Sequence, residues 1–81
     1  MIKIDEKILN KYLKGKTIKT SLTTPLKNVR AYSTESNEAL FIATSKEKNK
    51  LSSMIALVAA QKGWNLSIYT EGSYLVCLLC P

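Results

Sequence analysis

The chain has 81 residues, of which 46% are hydrophobic, and its twelve basic and six acidic residues give a net charge of +6. This length supports one domain, and the apolar fraction is sufficient for a core, which excludes a disordered chain. No apolar run reaches the roughly 18 residues of a membrane span. The N-terminus has no apolar signal region, so we expect a cytoplasmic protein without a membrane partner.

A short helix is predicted for residues 5–14. Asp5 has the position of an N-cap, and Lys11 and Lys14 match the negative C-terminal end of the helix dipole. Gly15 follows as a C-terminal cap. The apolar residues recur at helical spacing, so one face of this helix is expected to pack on the core. These residues are Ile4, Ile8, Leu9, Tyr12 and Leu13.

Three strands are predicted in the middle of the chain. Residues 17–22 contain β-branched side chains in rough alternation, and residues 29–33 make a second strand. Pro25 marks a turn between these two strands, because proline restricts the residue before it to extended geometry. After a polar turn, residues 39–44 form a continuous apolar run that is typical of a central strand.

The second half of the chain is predicted to hold a long helix and a β-hairpin. Ser45 is the expected N-cap of a helix over residues 46–62, and Gly63 ends it. Residues 64–70 form a strand, and Glu71-Gly72 is a two-residue hairpin signal before the last strand. The sequence therefore predicts an α+β fold, a two-layer sandwich in which helices pack on a mixed or antiparallel β-sheet that ends in a C-terminal β-hairpin. Residues 1–81 are expected to form a single domain.

The last strand, residues 73–81, is apolar on both of its faces. Side chains alternate along a strand, so two sets project in opposite directions. One set is Leu75, Cys77 and Leu79, and the other is Tyr74, Val76, Leu78 and Cys80. A strand of this kind is usually covered on both sides. Since 81 residues provide little material for two covers, we expect a partner surface beside this strand.

The long helix has a second face that carries no charge. On a helical wheel, one side holds Leu51, Met54, Ile55 and Val58, and the opposite side holds Ser52, Ser53, Ala56 and Ala60. A helix side that faces solvent normally carries charged residues. The first helix could cover this uncharged face, a second copy could cover it, or it could be exposed as small residues. We predict a homodimer, the commonest oligomer, with interface residues Ser53, Ala56, Ala60, Tyr74, Val76 and Leu78.

Cys77 and Cys80 have C-x-x-C spacing, but they fall on a strand. Residues three apart on a strand point to opposite faces, so a disulfide within one chain requires a bend between them. Packed apolar thiols, a disulfide within or between chains, and four thiolates assembled by a dimer are the alternatives. With no histidine, one chain lacks the four ligands of structural zinc, so no metal or cofactor is expected.

Catalytic groups are sparse in the sequence. Of the six carboxylates, four are explained by helix ends and the hairpin turn, which leaves Glu35 and Glu38 in a polar loop. No catalytic triad, phosphate-binding loop or glycine-rich fingerprint is present. An enzyme is therefore not expected.

The basic residues favour an anionic partner such as nucleic acid, because eleven of the twelve lie in residues 1–50. Lysines bind phosphates as point charges and give salt-dependent, non-specific affinity, whereas a single arginine is a poor basis for base recognition. A solvated lysine face is the alternative interpretation. The candidate nucleic-acid-binding residues are Lys3, Lys7, Lys11, Lys14, Lys16, Lys19, Lys27, Arg30, Lys46, Lys48 and Lys50.

Two resemblances add to this interpretation. The order of strand, helix ending Gln61-Lys62-Gly63-Trp64, and hairpin over residues 39–79 resembles the C-terminal half of the small TusA-like sulfur carriers. That family has Cys-Pro-x-Pro at the start of its first helix, whereas Thr24-Pro25-Leu26 here has no cysteine, so the resemblance implies sulfur transfer but assigns no residue to it. The lysine-rich first half, the small size and the apolar, cysteine-bearing end resemble short proteins of turreted icosahedral viruses that infect Sulfolobus. This second resemblance implies a hot setting inside a host cell.

The sequence thus predicts a small basic interaction module, homodimeric, that binds nucleic acid non-specifically through its lysines. The alternatives are a structural or protein-binding component and a sulfur-carrier-like protein.

Overall fold

The computed structural model describes residues 3–22, 28–44 and 47–81. Two helices and five strands follow one another within these ranges. They are α1 (Lys3–Tyr12), β1 (Ile18–Leu22), β2 (Val29–Thr34), β3 (Ala39–Ala43), α2 (Lys48–Lys62), β4 (Asn65–Glu71) and β5 (Tyr74–Cys80). The strands form one sheet in the order β1-β2-β3-β5-β4, and every neighbouring pair is antiparallel.

This order places β5, the last strand of the chain, in the interior of the sheet between β3 and β4. Because β5 is antiparallel to both neighbours, β3 and β4 run in the same direction. Two strands with the same direction need a crossover connection rather than a tight turn. Helix α2 provides that crossover, and β1 and β4 are left as the edge strands of the sheet.

Helix α2 covers one face of the sheet. Its buried residues Leu51, Ile55 and Ala59 pack against side chains that project from this face of β2, β3 and β5. Those side chains are Val29, Ala43, Leu75, Cys77 and Leu79. The partly buried Phe41, Val58, Trp64 and Leu66 extend the same cluster.

Helix α1 covers the opposite face. Ile8 and Leu9 of the helix and the following Leu13 pack on Tyr32, Leu40, Ile42 and Val76. The partly buried residues around them are Ile4, Tyr12, Ile18, Tyr74 and Leu78. Adjacent residues of β3 and β5 therefore belong to different clusters, as the alternation of side chains along a strand requires.

The predicted α+β class and the C-terminal hairpin are confirmed, but the layers are arranged differently. The two helices lie on opposite faces of the sheet, which gives three layers instead of the predicted two. The reason is that β3 and β5 are apolar on both sides, so each side needs a helix. The same chain therefore covers both faces of β5, and the partner surface expected from its sequence is not needed for this purpose.

The ends of the helices differ in detail from the prediction. Helix α1 begins at Lys3, so Asp5 lies within the first turn and is not the N-cap. Helix α2 begins at Lys48, after Glu47 at the N-cap position, and the predicted cap Ser45 lies outside the described residues. Gly63 ends α2 in the left-handed conformation (φ 68°), as predicted, because glycine adopts positive φ without steric cost.

The C-terminal hairpin turns one residue later than predicted. Glu71 pairs with Tyr74, so the two loop residues are Gly72 and Ser73. Gly72 has φ 59°, which suits a glycine in a two-residue hairpin loop. The predicted turn around Pro25 lies outside the described residues.

Candidate functional site

A buried carboxylate joins the start of α1 to β2. Asp5 is completely buried, and its two oxygens accept hydrogen bonds from Arg30 Nε at 2.7 Å and Arg30 Nη2 at 2.9 Å. The Tyr32 hydroxyl donates to the same carboxylate. A two-point contact between arginine and a carboxylate is among the strongest hydrogen-bonded pairs in proteins. Arg30, which the sequence assigned to nucleic-acid binding, is therefore engaged inside the domain.

Tyr32 and Arg30 both keep their protons at neutral pH. Burial, followed by the hydrogen bond to Asp5, raises the pKa of Tyr32 to about 12. The hydrogen bond to Asp5 also raises the pKa of Arg30. Neither group can exchange a proton at neutral pH, as a general acid or base must. The cluster is consequently a structural clamp on α1.

The end of α1 is tied to β4 by a second polar contact. The Tyr12 hydroxyl donates to Glu71 Oε1 at 2.6 Å, and Lys11 forms an ion pair with the same oxygen. The Tyr12 ring stacks on Tyr69, with 4.6 Å between the ring centroids. Lys11, another residue predicted to bind nucleic acid, is thus paired with Glu71. Hydrogen bonds from Lys11 and then Tyr12 lower the pKa of Glu71.

Glu38 organises a third polar cluster at the other end of the sheet. Its Oε1 lies 3.1 Å from Lys16 Nζ and accepts a hydrogen bond from Thr34 Oγ1 at 3.3 Å. Buried Thr34 Oγ1 also accepts backbone hydrogen bonds from Ser36 and Glu38, which fixes the loop between β2 and β3. Lys16 is therefore the third predicted nucleic-acid ligand that pairs with a carboxylate of its own chain.

The two cysteines lie on opposite sides of the sheet and are free thiols. Cys77 is fully buried beneath α2, whereas Cys80 lies beside Glu38, with its Sγ 3.8 Å from Oε2. The disulfide considered for one chain is not formed, because the strand separates the two side chains as its geometry predicts.

The thiols are poorly suited to nucleophilic chemistry. Burial raises the pKa of Cys77 to about 11. Burial and then the Glu38 carboxylate raise the pKa of Cys80. Both thiols are protonated at neutral pH, whereas the thiolate is the reactive form. Within the described ranges, no group of three or more His, Cys, Asp or Glu residues is placed to hold a metal ion.

The remaining predicted lysines fall on two sides of the molecule. Lys3, Lys7 and Lys14 are exposed on the outer side of α1 and just after it, and Lys19 is exposed on β1. Lys48 and Lys50 lie at the start of α2, which is on the other face of the sheet. Lys27 and Lys46 lie outside the described residues. The described members of the predicted basic set are therefore divided between the two faces of the sheet.

The predicted dimer-interface residues are also divided. Ser53, Ala56 and Ala60 are exposed on α2. On the other face of the sheet, Tyr74 and Leu78 are half-buried at the α1 cluster, and Val76 is fully buried there and has no surface to offer a second copy.

The exposed side of α2 is more apolar than predicted. Met54 was expected to face the sheet, but it is 40% exposed, and Ala59 lies in the core instead. Leu57 is 61% exposed. The helical wheel did not identify these residues as surface, because apolar residues occur on every side of α2.

A shallow groove of about 350 Å³ lies between α1 and β1. Among the described residues it is lined by Glu6, Leu9, Asn10 and Ile18. One carboxylate and one amide give this lining little capacity to hold a charged ligand, so the groove does not define a site.

The chain matches no protein-family profile, no curated protein and no solved structure. The resemblances to sulfur carriers and to viral proteins stay predictions from sequence pattern. Within the described part of the chain, neither helix is long and apolar enough to cross a membrane.

We expect the Asp5–Arg30 pair to contribute strongly to stability. Replacing Arg30 by Met leaves the buried Asp5 carboxylate with the Tyr32 hydroxyl alone, so the free energy of unfolding should fall by roughly 3 kcal/mol. Replacing both residues, by Asp5→Leu with Arg30→Met, should cost less than the sum of the two single changes, because no charge is then left unpaired. Urea unfolding measures both effects.

Lys3→Met is the matched control, because it removes an exposed cation from α1, the helix that carries Asp5. It should change the free energy of unfolding by less than about 0.5 kcal/mol. An Arg30→Met variant as stable as Lys3→Met would show that the clamp does not hold α1 on the sheet.

The Glu71 contact predicts a dependence of stability on pH. Its folded-state pKa is lowered from the ordinary value of 4.5, so its contribution is present above that value and is lost as pH falls through the folded pKa. Glu71→Gln should be less stable than the parent at neutral pH and should lose less stability on acidification. Thermal unfolding from neutral pH to below 4 tests this, with Glu35→Gln in the exposed loop as control. Identical acid profiles for parent and Glu71→Gln would contradict the contact.

Proposed function

We propose that the chain is a small basic interaction module that binds nucleic acid non-specifically through the outer side of α1. The main support is the contrast between the two sides of this helix. Its inner side is held on the sheet by apolar packing and by a polar contact at each end. Its outer side presents Lys3 and Lys7, with Lys14 just beyond the helix end, all exposed. The fold therefore holds in a fixed position the helix that carries these cations.

The charge balance of the domain supports the same proposal. The three ion pairs among the described residues use half of the six carboxylates but only a quarter of the twelve cations. The other cations outnumber the other carboxylates and give the surface an excess of positive charge. Such a surface attracts phosphates and releases the counterions that surround nucleic acid.

The contacts of Arg30 favour non-specific binding over reading of a sequence. Bidentate arginine contacts to guanine are the commonest specific contact to a base. Arg30 is the only arginine of the chain, and Asp5 binds it with the same two-point geometry. The exposed lysines are left to contact phosphates, which carry no sequence information directly.

A protein-binding or structural role is the second candidate. The observation in its favour is the exposed apolar surface of α2, where Leu57 is 61% exposed. No observation favours sulfur transfer, since burial raises the pKa of both thiols.

Binding to a short DNA duplex, followed by fluorescence anisotropy, tests the proposal. With two to three phosphate contacts, the affinity should fall roughly 10- to 40-fold between about 50 and about 200 mM salt. A duplex of scrambled sequence should bind equally well. Replacing Lys7 and Lys14 together by Glu should abolish the interaction, because it reverses two charges on the α1 side.

The control is the double replacement of Lys48 and Lys50 by Glu, which changes the net charge equally on the other face of the sheet. This control should retain most of the affinity. Absence of binding at low salt would overturn the proposal, and equal losses in the two double variants would overturn the assignment to α1.

A further inference from the structure

Four large hydrophobic side chains are exposed in the described part of the chain, and all four lie on α2 or β4. Met54 and Leu57 belong to α2, and Ile68 and Tyr69 belong to β4. Tyr69 already stacks on Tyr12 beneath α1. Ile68 pairs with Cys77, which places it on the same face of the sheet as α2. Edge strand β4 therefore exposes a large apolar side chain, Ile68, on the face of the sheet that α2 covers.

The two edges of the sheet differ in how they are protected. Edge strands usually carry bulges or lysines that block pairing with another chain. β1 has an irregularity in its register between Ile18 and Thr20, and the exposed Lys19 lies at that position. β4 pairs with β5 in continuous register over seven residues and has neither lysine nor proline. The β4 edge is therefore open to another strand.

The distribution of charge indicates which partner fits this surface. The chain carries a net charge of +6, so two copies repel each other wherever their lysines meet. No charged residue occurs from Leu51 to Gln61 of α2 or from Asn65 to Thr70 of β4. Glu71, at the end of β4, is neutralised by Lys11. Two copies can approach through β4 without placing a lysine of one strand against a lysine of the other.

We propose that β4 pairs antiparallel with β4 of a second copy, in a register centred near Ile68, to form a homodimer with one continuous sheet of ten strands. A strand that pairs with itself in antiparallel fashion satisfies the self-complementarity of a two-fold interface. The free hydrogen-bonding groups of each edge then have partners, as in other cases of strand addition. Ile68 of each copy lies next to Ile68 of the other and is removed from water.

The symmetry of this pairing determines where the helices lie. Antiparallel pairing at an edge requires a two-fold axis perpendicular to the sheet, so each face of one copy continues into the same face of the other. The two α2 helices share one face. The two α1 helices share the opposite face. The proposed dimer does not depend on nucleic-acid binding. It would place the exposed lysines of both α1 helices on the same surface.

The mass of the full chain in solution tests the proposal, by light scattering under reducing conditions and without nucleic acid. The expected mass is twice the 9.0 kDa of one chain. Ile68→Lys should weaken the dimer at least about tenfold, because the two-fold axis brings the two introduced charges together. Thr70→Lys, at an exposed position on the same face of β4, should also weaken it.

Asn10→Lys is the matched control, since it adds the same charge at an exposed position on α1. It should leave the dimer intact. A parent chain of 9.0 kDa at about 100 μM would overturn the proposal. A dimer that persists unchanged in both Ile68→Lys and Thr70→Lys would also overturn it, because the interface would then lie elsewhere.

Discussion

The architecture depends on one constraint, which is that β5 and its neighbour β3 are apolar on both faces. Val76 and Cys77 are adjacent along β5, point in opposite directions and are both completely buried. Burial on both sides requires a cover on each face of the sheet and a neighbouring strand on each side of β5. The chain meets this requirement with one helix on each face and with β5 between β3 and β4. The hydrophobic effect of these burials is the main stabilising term available to so short a chain.

Polar contacts then determine how α1 is placed on its face of the sheet. Apolar packing is non-directional, but the Asp5 contact with Arg30 and the Tyr12 contact with Glu71 attach the two ends of the helix to β2 and β4. These contacts have a consequence for the surface. They pair Arg30 and Lys11 with carboxylates of the same chain, whereas Lys3 and Lys7 are exposed on α1. Basic residues that look equivalent in the sequence thus differ in whether they pair with a carboxylate of the fold.

The sequence is most informative where alternation alone decides the outcome. It correctly predicts that β5 is apolar on both faces and that Cys77 and Cys80 point apart, because both follow from the geometry of a strand. It does not predict the strand order, which depends on pairings between distant segments. For that reason neither the opposite placement of the helices nor the exposed edge of β4 could be foreseen.

The sequence prediction was wrong where one local pattern is compatible with two different structures. An aspartate near a helix start reads as an N-cap, and nothing nearby in the sequence indicates that Asp5 pairs with Arg30, 25 residues later. Met54 is exposed although it was expected to face the sheet, because apolar residues occur on every side of α2 and its orientation is set by the sheet. The candidate surfaces could therefore be identified only from the tertiary structure.

Native-state hydrogen exchange by NMR tests most directly whether β5 is the doubly covered centre of the fold. Strand β5 lies in the interior of the sheet and is covered on both faces, so its amides should open only on global unfolding. The amides of Val76 and Cys77 are expected to exchange among the slowest in the chain and far more slowly than those of the edge strand β1. If the β5 amides exchanged as fast as those of β1, β5 could not be the doubly covered centre of the fold.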